Sequence, residues 1–224
     1  FEYDPNNRVV KAFDQEGHAV RRTLDLDGKP RAITDPNGNT TRFEYYGPER
    51  EGRLKKRTDP PTVAVPTGRT TTFDYDPNGN VISVTDHLNR TTLTTYDELN
   101  RPIRIVGPVY DTALGLRSVT RYTYNLLGHL TRVEAGSTTG TTDTVTTQMT
   151  YLSDDFGRRL RETDPLGRSW AFEYDVNHNP IRVTDARGQV TRLTWGYGHQ
   201  LQTQTDDPGT VTHKMAVRIK RLYE

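Results

Sequence analysis

A phrase of 21 residues recurs about nine times along this chain, and no other feature restricts its fold as much. Aligned on one recurring position, the anchors are Tyr3, Leu24, Tyr45, Tyr75, Tyr96, Tyr124, Tyr151, Tyr174 and Trp195. They are spaced by 21, 21, 30, 21, 28, 27, 23 and 21 residues. A fixed step with occasional insertions marks a tandem-repeat architecture, in which each unit packs mainly on its neighbours. In the unexpanded units a second phrase has its aspartate eleven residues after the anchor. It reads Thr34-Asp35-Pro36-Asn37-Gly38, Thr85-Asp86-His87-Leu88-Asn89, Thr184-Asp185-Ala186-Arg187-Gly188 and Thr205-Asp206-Asp207-Pro208-Gly209.

Each half-repeat ends in turn chemistry. In Asp76-Pro77-Asn78-Gly79 the proline presets φ for a type I turn, and the glycine accepts the left-handed conformation that follows. That is a three-residue hairpin loop closed by a bulge. Asp35 to Gly38 reads the same way, Asp164 to Gly167 and Asp185 to Gly188 are further turns of the repeat, and the leading aspartate can bond the backbone two residues on. Between turns the pattern alternates. Thr41, Phe43 and Tyr45 fall on one face of a strand, with Arg42 and Glu44 on the other. Pro30, Pro102 and Pro180 open return segments, where a strand tolerates proline. The unit is therefore strand, tight turn, strand, tight turn. The insertions, including Pro60-Pro61 and the Thr/Gly run from Gly136 to Thr147, are expected to be exposed loops. The segment Lys214 to Glu224 leaves the repeat and is the one window with a helical look; a last strand, a linker or foreign sequence are its other readings.

Composition supports a folded, thinly cored sheet. Leu, Ile, Val and Phe make up about a fifth of the chain, near the range where disorder is suspected. Twelve tyrosines and a net charge of +1 argue against disorder. That charge gives no basic field for nucleic acid, and no run reaches the ~18 apolar residues of a membrane helix. With no cysteine there is neither disulfide nor thiolate chemistry. The chain opens at Phe1 inside the repeated phrase, so a piece of a longer protein is expected. Such a piece exposes unpaired strand edges and is expected to associate unless they are covered.

Tyr3-Asp4, Tyr75-Asp76, Tyr96-Asp97 and Tyr174-Asp175, with the Thr-Asp phrases between them, resemble the YD-repeat or RHS-repeat family. The likeness spans residues 1–214, about nine repeats, and leaves 215–224 as a non-repeat tail. Leu24 and Trp195 depart from the tyrosine, Asn125 and Gly196 from the aspartate. The resemblance implies an all-β fold, a long antiparallel sheet curved into a cocoon-like shell. It implies a structural role: a shell segment that encapsulates a C-terminal toxin for delivery in interbacterial competition or host killing. The implied partners are neighbouring repeats, the enclosed toxin and secretion-system components, and the implied location is secreted or at the bacterial cell surface. The alternative it leaves open is an extracellular module that binds carbohydrate or protein. Some bacterial relatives cut off their own C-terminus with aspartates at a core-end motif. That motif is not found here, and Asp164-Pro165-Leu166-Gly167 reads as an ordinary repeat turn.

No residue set points to catalysis, a cofactor or a metal. Asp74, Asp76, Asn78 and Gly79 match the start of a calcium loop, but Thr85 stands where its bidentate glutamate belongs. The histidines His18, His87, His129, His178, His199 and His213 show no metal-ligand spacing. Most aspartates sit in turns and have structural work there. The tyrosines recur at one position, which favours a ladder within the sheet over a ligand platform. Asn39-Thr40-Thr41 and Asn89-Arg90-Thr91 are sequons that matter only in a eukaryotic secretory path.

Overall fold

The computed structural model describes residues 1–206 and, for the backbone alone, the strand at 210–213. The tail from Lys214 to Glu224 and the turn at Asp207-Pro208-Gly209 lie outside the described residues. Regular structure among the described residues consists of nineteen strands and one 3-10 turn at Pro48–Arg50.

Two compact units divide the chain. The first holds residues 1–119 with 138–142; the second holds 120–137 and continues from Asp143. In the first unit β1 (Glu2–Tyr3), β2 (Val9–Phe13), β3 (Ala19–Leu24), β4 (Pro30–Thr34) and β5 (Thr40–Tyr45) pair in order, antiparallel. The order continues through β6 (Leu54–Thr58), β7 (Thr70–Tyr75), β8 (Val81–Thr85), β9 (Thr91–Tyr96) and β10 (Pro102–Asp111). Strand β11 (Leu116–Tyr124) crosses the division, and β12 (Leu130–Thr138) and β13 (Asp143–Ser153) follow. In the second unit β13, β14 (Arg159–Thr163), β15 (Ser169–Tyr174), β16 (Pro180–Thr184), β17 (Val190–Trp195), β18 (Leu201–Asp206) and β19 (Thr210–His213) again pair in order, antiparallel.

Two kinds of hairpin alternate. At the Thr-Asp turns the ladder runs straight to the loop, and hydroxyls meet across it: Thr34 and Thr40 at 2.9 Å, Thr85 and Thr91 at 2.8 Å, Thr163 and Ser169 at 2.8 Å. At the anchors the register slips. Leu24 faces Pro30 but Thr23 faces Ala32, and Tyr174 faces Pro180 but Glu173 faces Arg182. One residue of each return strand, Arg31 or Ile181, is thus extra, and such a bulge raises the local right-handed twist. The prolines at 30, 102 and 180 open β4, β10 and β16, where the missing N–H costs little.

Alternation sorts side chains as the pattern requires. In β5 Phe43 and Tyr45 are half-buried, while Arg42 and Glu44 are exposed. Apolar burial goes little further. Only Val106, Val119 and Val190 are buried hydrophobics among the described residues. Within each unit the most extensive contacts join consecutive strands, and in the first unit residues 138–142 fold back so that Arg104 Nη2 reaches Thr138 Oγ1 at 3.4 Å. Stability in such a sheet comes from neighbour-to-neighbour terms rather than from a central core.

One expectation is overturned. The Thr/Gly run from Gly136 to Thr147 is not a loop: β12 and β13 take up most of it, with nine and eleven residues against five or six in the regular hairpins. An insertion shared between both arms lengthens a hairpin without breaking its register, and β-branched threonine favours the strand. The insertion at Pro60-Pro61 does form a connection without strand, between β6 and β7.

Candidate functional site

The recurrent site of this fold is the aspartate turn. Asp86 shows its plan. Its Oδ1 accepts the backbone N–H of Leu88 at 2.9 Å and of Arg90 at 3.0 Å, and its Oδ2 accepts Arg90 Nε at 2.7 Å. Asp164 holds Leu166 and Arg168 in the same way, with Arg168 Nε at 2.6 Å. At Asp35 and Asp76 an asparagine side chain takes the arginine's place: Asn39 Nδ2 and Asn80 Nδ2 each donate at 2.9 Å. Asp185 accepts the N–H groups of Arg187 and Gln189. Gly38, Gly79, Gly167 and Gly188 take φ values of 86°, 92°, 78° and 82°, the left-handed bulge position. Asn7, Asn89, Asn100 and His178 fill that position in other turns.

These bonds favour the charged carboxylate. The side-chain bond from Arg90 pulls Asp86 down to about 2. Side-chain bonds from Asn39, Asn80, Arg101 and Asn179 lower Asp35, Asp76, Asp97 and Asp175. At Asp164 and Asp154 partial desolvation pushes upward, but the bonds from Arg168 and Arg158 outweigh it.

The anchors form a second recurrent element. Tyr45 donates its hydroxyl to the Pro30 carbonyl at 2.9 Å, Tyr96 to Val81 at 3.1 Å and Tyr174 to Arg159 at 2.9 Å. Trp195 Nε1 reaches the Pro180 carbonyl at 2.6 Å. Each partner stands fifteen residues earlier, at the first position of the preceding strand. Of the other anchors, Tyr75 packs edge-on against Tyr46 with centroids 6.3 Å apart, and Arg159 sits 3.8 Å above the Tyr151 ring. Tyr124 ends β11, and Tyr3 is exposed. Leu24 lacks the donor. Leu24→Tyr therefore places a hydroxyl toward Val9, which opens β2, and is expected to stabilise the chain by about 1 kcal/mol. A urea midpoint that does not rise would break the analogy.

Sequence reading missed the donor in the turns that follow the anchors, four places after Asp4, Asp76, Asp154 and Asp175, with Arg53 in the expanded turn after Tyr45. It straps its turn to the turn that follows the next anchor. Arg8 Nη1 reaches the Asp25 carbonyl at 3.1 Å, Arg53 Nη1 the Asp76 carbonyl at 3.4 Å and Arg158 Nη1 the Asp175 carbonyl at 3.2 Å. Asn80 Nδ2 meets Asn100 Oδ1 at 2.6 Å, and His199 meets Asn179 at 2.5 Å. The signal was available: a long or amide donor stands at this position in turn after turn.

Other candidates resolve into structure. Asp74 pairs with Arg50 and accepts the Tyr75 N–H, while Asp76 serves Asn80, so the two carboxylates are engaged separately. His18 lies 3.0 Å from Asp14 within its own turn. Among the described residues no three potential metal ligands cluster. The turn carboxylates are spent on their own backbone, an arrangement that builds scaffolding rather than acid–base chemistry.

A family model described as Teneurin YD-shell matches residues 61–204. Toxin protein Tse5 of Pseudomonas aeruginosa is 28% identical over 216 residues, which is 94% of this chain and 15% of that protein. Teneurin-1 of Gallus gallus is 28% identical over 236 residues, 93% of this chain and 8% of that one. The chain thus spans 15% or less of the length of these two relatives. The structure of the Photorhabdus luminescens Tc holotoxin pore aligns over 93% of this chain and 14% of its own, with 14% identity and a TM-score of 0.43.

Proposed function

This chain belongs to the Teneurin YD-shell family, and on that premise we propose that it is a structural segment of a shell that encloses a C-terminal toxin. The observation that carries this reading is a run of consecutively paired strands whose clamped turns are strapped from one repeat to the next. Such a wall is suited to being extended by further repeats on either side. Residues 1–214 are read as one run of about nine repeats, with the anchors and turn aspartates as its structural positions and 215–224 outside it. Likeness to a toxin protein of a bacterium supports a secreted or cell-surface setting reached through a secretion system.

Limited proteolysis of the full-length gene product, read by intact mass, tests the container. A C-terminal segment that resists protease while the repeats are intact, and is digested once they are opened, is the expected result. Immediate digestion of that segment, or its absence from the gene product, would sink the container and favour an extracellular module that binds carbohydrate or protein.

A further inference from the structure

Two rows of side chains, one in each unit, are built alike. In the first unit Glu2 faces Lys11, Lys11 faces Arg21, and Arg21 faces Thr34, across β1 to β4. In the second, Glu173 faces Arg182, Arg182 faces Arg192, and Arg192 faces Thr205, across β15 to β18. In each row the acid takes the nearer cation: Lys11 Nζ lies 2.8 Å from Glu2 Oε1, and Arg182 Nη1 lies 2.8 Å from Glu173 Oε1. The second cation is left over. Arg21 and Arg192 are exposed and make no hydrogen bond or ion pair among the described residues.

Opposed residues on antiparallel strands hold their Cβ atoms about 5 Å apart, and like charges there are destabilising. The fold does not require the clash. The equivalent row through Glu44 reads Glu44, Lys56, Thr72, Thr85, with Lys56 Nζ 2.9 Å from Glu44 and threonine where the second cation would stand. Both charged rows lie on the face opposite the anchors, because Glu2 and Glu173 each precede their tyrosine by one residue.

We propose that Arg21 and Arg192, each in its own unit, are contact points for carboxylate groups of an acidic polypeptide lying across the row that holds it. A guanidinium takes a carboxylate through two parallel N–H···O bonds, and an anion set between the two cations offsets their repulsion. Acid, base, incoming acid and arginine then alternate across the row. A nucleic acid is the poorer fit: it rewards a dense field of cations, and this chain has single arginines on a surface of net charge +1. The inference goes beyond the container reading, since it holds for a partner enclosed by the sheet or outside it.

The test is the double variant Arg21→Thr, Arg192→Thr, which copies the residue at Thr72. Labelled poly-L-glutamate is titrated into both proteins at low and at physiological salt, with fluorescence anisotropy as the readout, and heparin serves as a second probe. The expected result is about tenfold weaker poly-L-glutamate binding by the variant, together with a higher urea midpoint as the like charges are removed. Unchanged affinity overturns the proposal. So does an equal loss of heparin binding, which would make the face a general polyanion surface. A lower urea midpoint would assign the arginines to the fold and overturn it as well.

Discussion

Gly136→Ala should destabilise the second unit by about 3 kcal/mol, more than any other single added methyl argued for this chain. Gly136 lies in β12, and a Cβ built there meets the Thr144 carbonyl and the Val145 Cα of β13. These are backbone atoms on a paired strand. A flexible side chain could swing aside, but a ladder can give way only by opening. The cause is close approach rather than dihedral strain, which is the usual meaning of a glycine inside a strand. Gly188 supplies the contrast. Its φ is +82° and nothing lies within 4 Å of the added atom, so Gly188→Ala carries only the left-handed penalty, about 1 kcal/mol. Urea unfolding of the two variants should separate them clearly. Hydrogen exchange should place the Gly136→Ala damage in β12 and β13. Equal losses in the two variants would contradict the close-approach account.

The same glycine shows where sequence reading stops. A run of Thr and Gly looks like a loop because its composition is that of turns, and composition does not reveal that an insertion was shared evenly between two arms. Register does, and register is a property of pairs. The turns were legible for the opposite reason: Asp76-Pro77-Asn78-Gly79 carries all of its geometry within four residues, and the Gly79 N–H duly closes on the Asp76 carbonyl at 3.1 Å. The anchors lie between these cases. Their recurrence announced a ladder, but the carbonyl that each ring reaches stands fifteen residues away and only the bulged pairing brings it near. The straps were hidden by variety. Arginine, asparagine and histidine share the role of donor, so identity changes from repeat to repeat while chemistry does not. No shift in composition marks the division into two units, which falls inside β11 and at the β12–β13 turn.

Acid should unfold this chain with an unusually steep dependence on pH. Nine turn aspartates, Asp4, Asp14, Asp35, Asp76, Asp86, Asp97, Asp154, Asp164 and Asp175, are all shifted down from 3.8. A carboxylate depressed by folding contributes stability that is fully present above its unfolded value and lost as pH falls through its folded one. Stability from these groups is therefore flat from neutral pH down to about 5 and falls from about 4 toward 2, the lower limit marked by Asp86 at about 2. As pH falls past 3.8 each such aspartate takes up its proton earlier in the unfolded chain than in the folded one. Their proton uptakes add, so unfolding near pH 3 should bind several protons per chain. The check is the urea midpoint measured at successive pH values, with potentiometric proton uptake alongside. Asp86→Asn keeps an oxygen for the Leu88 and Arg90 N–H groups but removes the charge, so it should lower stability at pH 7 and flatten the acid slope by up to one proton. Salt should weaken the arginine-clamped turns more than those clamped by asparagine, because only the former rest on an ion pair. An acid transition that takes up one proton or fewer would mean that the clamps persist in the unfolded chain, and the turns would then not be what the fold gains by forming.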